Sequence, residues 1–100
     1  MAIALDPYVI DTLMQDLVRH DRAPSAFLVY LWLWSRTRGS GRSAFGVSLQ
    51  TLASETGLSK SSVQNALRRL KRRKLVAVRR GGPTVACIYE VLEPWRRSRS

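Results

Sequence analysis

Between residues 48 and 73 the chain carries two short helical patterns of apolar residues, separated by a single glycine. The spacing of three and four residues within each pattern is that of one helix face. Gly57 lies between them and can adopt a positive φ at little cost, while Leu58 can fill the corner. The spacing predicts helices over 48–56 and 60–73, joined by a tight turn. The two apolar faces consist of Leu49, Leu52 and Ala53, then Val63, Ala66, Leu67 and Leu70.

Two further helices are predicted upstream. Residues 6–20 begin with Asp6 as a good N-cap and Pro7 at a favourable first position. Residues 25–37 follow, and the run Phe27–Trp34 is apolar on every face. Such a helix is either central in the core or shared with a second copy of the chain, and the sequence leaves both alternatives open. The apolar stripe of the first helix consists of Val9, Ile10, Leu13, Met14, Leu17 and Val18.

Two strands are predicted after the helices, because 75–80 and 84–92 are rich in β-forming residues. Gly81 and Gly82 lie between them and suit the tip of a hairpin. Residues 44–47 could add a third short strand, after a polar connector that we predict to be flexible over 38–43. The expected fold is mainly α with a small β-hairpin wing, an α+β arrangement with a two- to three-stranded antiparallel sheet.

The chain of 100 residues is the size of one small domain. We place that domain at residues 1–93. The segment 94–100 is rich in arginine and is predicted to be a basic tail, anchored at most by Trp95.

Charge is distributed unevenly along the chain, whose net charge is +10. Four of the seven acidic residues lie in the first quarter, and none occurs between Thr56 and Tyr89. A solvated, solubilising surface is the simpler explanation, but such surfaces usually mix both signs. The imbalance therefore favours a polyanionic partner. The basic residues of this stretch are Lys60, Arg68, Arg69, Lys71, Arg72, Arg73, Lys74, Arg79 and Arg80.

The stretch SLQTLASETGLSKSSVQNALRRLKRRKLVAVRR resembles the winged helix-turn-helix of bacterial regulators of the multiple-antibiotic-resistance-regulator type. Together with the preceding AFLVYLWLWSRTRGSGRSAFGV, it also resembles the DNA-binding domains of phage and plasmid replication-initiation proteins. The resemblance covers about residues 26–92 and implies a winged helix-turn-helix that binds double-stranded DNA. The chain has no room for the long flanking helices of the regulators, so we expect no ligand-sensing pocket.

Helical geometry identifies the candidate DNA-binding side chains. With Val63 central on the buried face, a rotation of about 100° per residue carries a polar stripe to the opposite side. Gln and Asn can pair with adenine there, and Arg with guanine. The stripe consists of Ser61, Asn65, Arg68 and Arg72, flanked by Gln64 and Arg69.

Other residues are expected to meet the DNA backbone. Ser59, Lys60 and Ser62 lie at the start of this helix, whose free amides suit a phosphate; Ser59 is also its N-cap. Further along the helix, Lys71, Arg72 and Arg73 are predicted to meet phosphates, although the last turn also favours cations for its dipole. Arg79 and Arg80 would lie along the wing, against the backbone or the minor groove.

The sequence argues against several other classes of function. Nucleophilic triads, phosphate loops and zinc signatures are not found, so we expect neither an enzyme nor a cofactor. His20 is the one histidine and has no cysteine or glutamate cluster near it, which argues against a metal site. The longest apolar run has nine residues, whereas a membrane span needs about 20. Cys87 is the single cysteine and no secretion signal is evident, so a cytoplasmic, nucleoid-associated protein is expected.

Four roles remain open at the level of sequence. One is RNA binding, since basic charge attracts any phosphate backbone, although no aromatic platform on a sheet favours single-strand recognition. A small transcriptional regulator and a replication or partition factor that binds origin repeats are both compatible with DNA binding. A winged-helix protein-interaction module is the alternative from another class, but it should show an apolar outer face on residues 60–72. A homodimer is expected on grounds of specificity, through the helix of Phe27–Trp34 or through the first helix.

Overall fold

The computed structural model describes residues 3–41, 44–79 and 87–95. Its N-terminal helical segment consists of two π-helical stretches, Val9–Leu13 and Gln15–His20. A 3-10 turn at Arg38–Ser40 precedes the first strand. No helix within the described ranges is long and apolar enough to cross a membrane. The α-helices are α1 (Pro24–Arg36), α2 (Leu49–Thr56) and α3 (Lys60–Arg72), and the strands are β1 (Ala44–Gly46), β2 (Val76–Arg79) and β3 (Ile88–Val91).

The N-terminal segment begins as predicted but is wound differently. Asp6 caps it, because its Oδ1 accepts a hydrogen bond of 2.9 Å from the Tyr8 backbone N–H. The segment then continues with i→i+5 hydrogen bonds, which widen each turn beyond the 3.6 residues of an α-helix. The wider turn suits a buried stripe that repeats strictly every fourth residue, namely Val9, Leu13 and Leu17. Ile10 and Val18, which the sequence assigned to the same stripe, are exposed.

Helix α1 occupies the centre of the fold. It begins at Pro24 and packs against the N-terminal segment, α2, α3 and the sheet. Leu28 is its one exposed large apolar residue, at 45%. Packing within a single chain therefore accounts for the apolar character of this helix. Its buried residues are Ala26, Phe27, Val29, Tyr30, Leu33 and Trp34.

Two buried aromatic residues of α1 donate hydrogen bonds to backbone carbonyls near the start and the end of the described chain. The Tyr30 hydroxyl donates a hydrogen bond of 2.9 Å to the Leu92 carbonyl, and burial raises the pKa of this phenol. The Trp34 indole N–H donates one of 2.8 Å to the Ala4 carbonyl. Both bonds satisfy polar atoms that would otherwise be costly to bury.

The prediction of a flexible connector over 38–43 is wrong for its first residues. Arg38 begins a 3-10 turn, and its guanidinium donates to the Val91 carbonyl from Nε at 3.2 Å and from Nη2 at 3.1 Å. A Glu93 carboxylate oxygen lies 3.8 Å from the same Nε. This partnership crosses more than 50 residues of sequence, so no local pattern could reveal it. Residues 42 and 43 lie outside the described ranges.

The helix–turn–helix unit matches its prediction closely. Ser48 Oγ accepts a hydrogen bond from the Thr51 N–H and caps α2. Gly57 ends that helix with φ at 78°, a left-handed conformation that glycine adopts without strain. Leu58 packs against the core at the corner. Ser59 Oγ then accepts from the Ser62 N–H and caps α3.

Helix α3 ends in a tight turn that leads directly into the sheet. The N–H of Leu75 bonds to the Leu70 carbonyl at 2.9 Å, and that of Lys74 to the Lys71 carbonyl at 3.0 Å. This pattern is a Schellman motif, in which Lys74 takes the left-handed position with φ at 61°. Because the motif reverses the chain within two residues, β2 begins at Val76, next to the last turn of α3.

The three strands form one antiparallel sheet in the order β1-β3-β2. Tyr89 on the central strand pairs with Phe45 of β1 and with Val78 of β2. The described strands are shorter than predicted, and residues 80–86, including Arg80 and the predicted glycine tip, lie outside the described ranges. Helices followed by this small sheet make a winged helix-turn-helix, the α+β fold that the sequence predicts.

Trp95 packs on the body of the protein. Its ring stacks on that of Tyr8, with centroids 4.4 Å apart and 16° between the planes. Its indole N–H also donates to the Asp6 carboxylate at 3.2 Å. Trp95 therefore anchors the end of the described chain to the N-terminal segment, as the sequence predicted it could.

Candidate nucleic-acid interface

Helix α3 has one buried and one exposed face. The buried face consists of Val63, Ala66, Leu67 and Leu70, as the spacing predicted. The opposite face carries polar and cationic side chains without a carboxylate, because α3 contains no acidic residue. Of the predicted base-reading residues and their neighbours, Lys60, Ser61, Gln64, Asn65, Arg68, Lys71 and Arg72 are exposed, while Ser62 and Arg69 are half-buried.

The start of α3 is lined by three hydroxyls. Ser59 Oγ lies 3.2 Å from Ser61 Oγ and donates to Ser62 Oγ at 3.0 Å, in addition to accepting the capping bond. The Ser59 hydroxyl is therefore committed to the cap. A phosphate at this helix end would be met by the exposed Lys60 and by the helix dipole.

A tertiary ion pair ties α3 to the N-terminal segment. Arg73 donates to the two oxygens of Asp21, from Nε at 2.6 Å and from Nη2 at 2.9 Å. Arg69 Nη1 lies 3.8 Å from the same carboxylate, and His20 Nδ1 lies 3.2 Å from it. The Arg73 guanidinium lowers the pKa of Asp21 to about 2, and its hydrogen bond to Asp21 raises the pKa of Arg73. Arg73, which the sequence assigned to phosphate contact, is thus engaged within the fold.

Because of the ion pair between Arg73 and Asp21, we expect the free energy of unfolding to depend on pH in the acidic range. Because the folded-state pKa of Asp21 is lower than its ordinary value of 3.8, the ionised carboxylate stabilises the fold above that value. The contribution is lost as the pH falls toward the folded-state pKa. We expect Asp21→Asn to lower the free energy of unfolding by about 1 kcal/mol at neutral pH, after allowance for the partly exposed Arg73. Urea unfolding at several pH values measures this difference.

The exposed Asp11 provides the control for this prediction, as Asp11→Asn. That variant should unfold like the parent at neutral pH. The gap between Asp21→Asn and the parent should narrow as the pH falls from about 4 toward about 2. A gap that stays constant over this range would show that the Asp21 carboxylate is not the source of the stabilisation.

A groove lies between α3 and the sheet, next to the exposed face of α3. Gln64, Arg68 and Lys71 line it from the helix, and Val78 and Tyr89 line it from β2 and β3. Burial raises the pKa of the Tyr89 hydroxyl, which stays neutral and uncharged at physiological pH. The helix and the sheet thus form one continuous surface with cationic residues along it. Arg79 is exposed at the end of β2.

Two tryptophans that could in principle stack on bases belong to the core instead. Trp34 is 3% exposed and hydrogen-bonded. Trp32 packs edge-on against Phe45, and the Arg36 guanidinium lies 4.7 Å from the centroid of its ring. Among the described residues, no group of three histidine, cysteine or carboxylate side chains is placed to hold a metal ion.

Comparison with protein families identifies a helix-turn-helix domain in the chain. A family model described as a helix-turn-helix domain matches residues 23–76, which extend from the start of α1 to the first residue of β2 and make up more than half of the chain. No curated protein and no solved structure matches the chain.

Proposed function

We propose that this chain, which belongs to the helix-turn-helix domain family, reads duplex DNA by placing α3 in the major groove. The observation that carries this proposal is the outer face of α3. That face is exposed, polar and cationic, and it contains no carboxylate and no apolar patch. A protein-docking face would be expected to expose apolar side chains at the same place.

The side chains on this face have the chemistry for reading bases. Gln64 and Asn65 each offer an amide that can pair bidentately with adenine, and Arg68 offers a guanidinium for guanine. Arg68 also lines the groove toward the sheet, so it lies between the helix face and the wing. Lys60, at the helix start, and Lys71, near its end, are exposed and suit the phosphates on either side of the contacted bases.

The β2–β3 hairpin is proposed to meet the DNA backbone through Arg79 and Arg80. Replacing both with glutamine is expected to flatten the dependence of log K on log salt by one or two units, since each lost phosphate contact removes about 0.9. Fluorescence anisotropy with a labelled duplex across a salt series measures the slope. The control is a double variant that removes the same number of charges elsewhere, Arg19→Gln with Arg36→Gln. Both arginines are exposed, Arg19 on the N-terminal segment and Arg36 at the end of α1. A slope equal to that of the control would show that the wing does not reach DNA.

The biological role proposed is that of a small bacterial or phage transcriptional regulator that acts by occluding a promoter. Mapping of the sites bound in the host, followed by sequencing, tests this role. Single or paired sites that overlap promoters support regulation. Iterated copies of the bound sequence within one short region would instead assign the protein to replication or partition.

We also propose that two copies bind together, because one short helix reads few base pairs. On α1, Leu28 alone is an exposed large apolar residue, whereas the N-terminal segment exposes two, Ile10 and Val18. Of the two surfaces considered from sequence, the N-terminal segment is therefore favoured. Sedimentation of the free protein and of its complex with DNA measures the number of copies.

A further inference from the structure

A second concave surface lies beside α3, on the flank that faces the start of α1. It is a cleft of about 370 Å³ between the turn after the N-terminal segment, the first residues of α1 and the outer side of α3. Its polar and charged lining consists of Arg22, Ser25, Asn65, Arg68, Arg69 and Arg72.

The charge in this cleft is largely uncompensated. Arg22, Arg68 and Arg72 form no ion pair with any other residue in the described ranges. Arg69 has a carboxylate oxygen of Asp21 at 3.8 Å, but Arg73 already holds that carboxylate at 2.6 Å. Cations gathered in a concave surface raise the local potential and attract anions. The cleft is therefore suited to an anionic group that can accept hydrogen bonds from guanidinium groups.

The position of the cleft indicates which anion it meets. Arg68 lines both this cleft and the groove toward the sheet, so the two concave surfaces lie on opposite flanks of the same helix. A helix in the major groove has one phosphate backbone on each flank. With the wing directed at one backbone, the cleft faces the other.

We propose that this cleft seats a phosphate of the DNA strand opposite to the one contacted by the wing, with Arg22 as its principal ligand from outside α3. The inference rests on the proposed function and extends it to a residue beyond the helix-turn-helix unit. Arg72 faces the same phosphate from α3. The start of α1, where Ala23 provides no side-chain cap, adds the positive end of a helix dipole.

The backbone at Arg22 makes a clean test feasible. Its φ is 52°, in the left-handed region that asparagine tolerates better than most residues. Arg22→Asn therefore removes the charge without adding strain, and thermal unfolding should show no loss of stability. Arg19→Gln is the matched control, because Arg19 is exposed two positions before Asp21 but does not line the cleft.

The experiment measures the affinity of the full chain for a duplex across a salt series from about 50 to about 200 mM. Arg22→Asn should bind more weakly than Arg19→Gln, and its slope of log K against log salt should be smaller by about 0.9. The ratio of parent to variant affinity should therefore fall about 3-fold over this range. Duplexes with a single neutral methylphosphonate then locate the contact. At one position, the methylphosphonate should lower the affinity of the parent for the duplex but leave the affinity of Arg22→Asn unchanged.

The outcomes separate this inference from the proposed function. If the parent binds duplex DNA and both variants have the same slope, the cleft does not seat a phosphate, while DNA reading by α3 stands. If a methylphosphonate lowers the affinity of Arg22→Asn as much as that of the parent at every position, the cleft likewise does not seat a phosphate. If the parent does not bind duplex DNA at any salt concentration, both the inference and the proposed function are wrong.

Discussion

Replacing Arg68 with alanine is expected to weaken binding to the preferred DNA site by about 1–3 kcal/mol and to relax the choice of base at one position. The expectation follows from the place of this side chain. Arg68 is exposed, forms no ion pair with another described residue and lies between the two concave surfaces that flank α3. A guanidinium there can pair bidentately with one guanine, and alanine cannot replace either bond.

A comparison with Arg72→Ala separates base reading from phosphate contact. Arg72 lies one turn further along α3, so its loss should weaken binding about equally on all sequences. Competition titrations with the preferred duplex and with duplexes changed at single base pairs measure both effects. If Arg68→Ala lowers the affinity equally for every duplex, Arg68 contacts a phosphate and does not read a base.

Truncation of Leu70 to alanine is expected to lower the free energy of unfolding by about 2–5 kcal/mol. Leu70 is fully buried in the last turn of α3, and its carbonyl accepts the Leu75 N–H that closes the helix. The cavity left by the truncation would lie beneath the helix that carries the binding face. Domains of this size are stable by only about 5–15 kcal/mol, so DNA binding should weaken through partial unfolding as well.

Lys71→Ala is the matched control for this prediction, because Lys71 is the next residue and is exposed. A surface change of this kind should alter the free energy of unfolding by less than about 0.5 kcal/mol. Urea denaturation of the three proteins measures the difference. Similar destabilisation by both variants would contradict the assignment of the buried and exposed faces of α3.

The helix–turn–helix unit could be predicted from sequence because its signals are local. Ser48 and Ser59 are caps, and each bonds to a backbone N–H three residues later. Gly57 marks the turn by its conformational freedom. The amphipathic spacing of α3 then determines which side chains are exposed. Fold and candidate face therefore follow from patterns that span fewer than about 15 residues.

The parts that sequence reasoning missed depend on distant partners. Asp21 meets Arg73 across 52 positions, and Arg38 meets the Val91 carbonyl across 53. Neither pair leaves a periodic pattern, because each joins residues that are distant in sequence and meet only in the tertiary fold. Arg22 was overlooked for the same reason, since only the tertiary fold brings it to the flank of α3.

Selection of the purified protein against random duplex DNA at physiological salt, with sequencing of the enriched pool, tests the central claim most directly. We expect a sharp motif, and inverted halves about one helical turn apart would show that two copies bind together. Arg68→Ala should lose the preference at one base pair of that motif. Salt-sensitive binding without enrichment would contradict base reading by α3, and absence of binding would contradict DNA binding by this chain altogether.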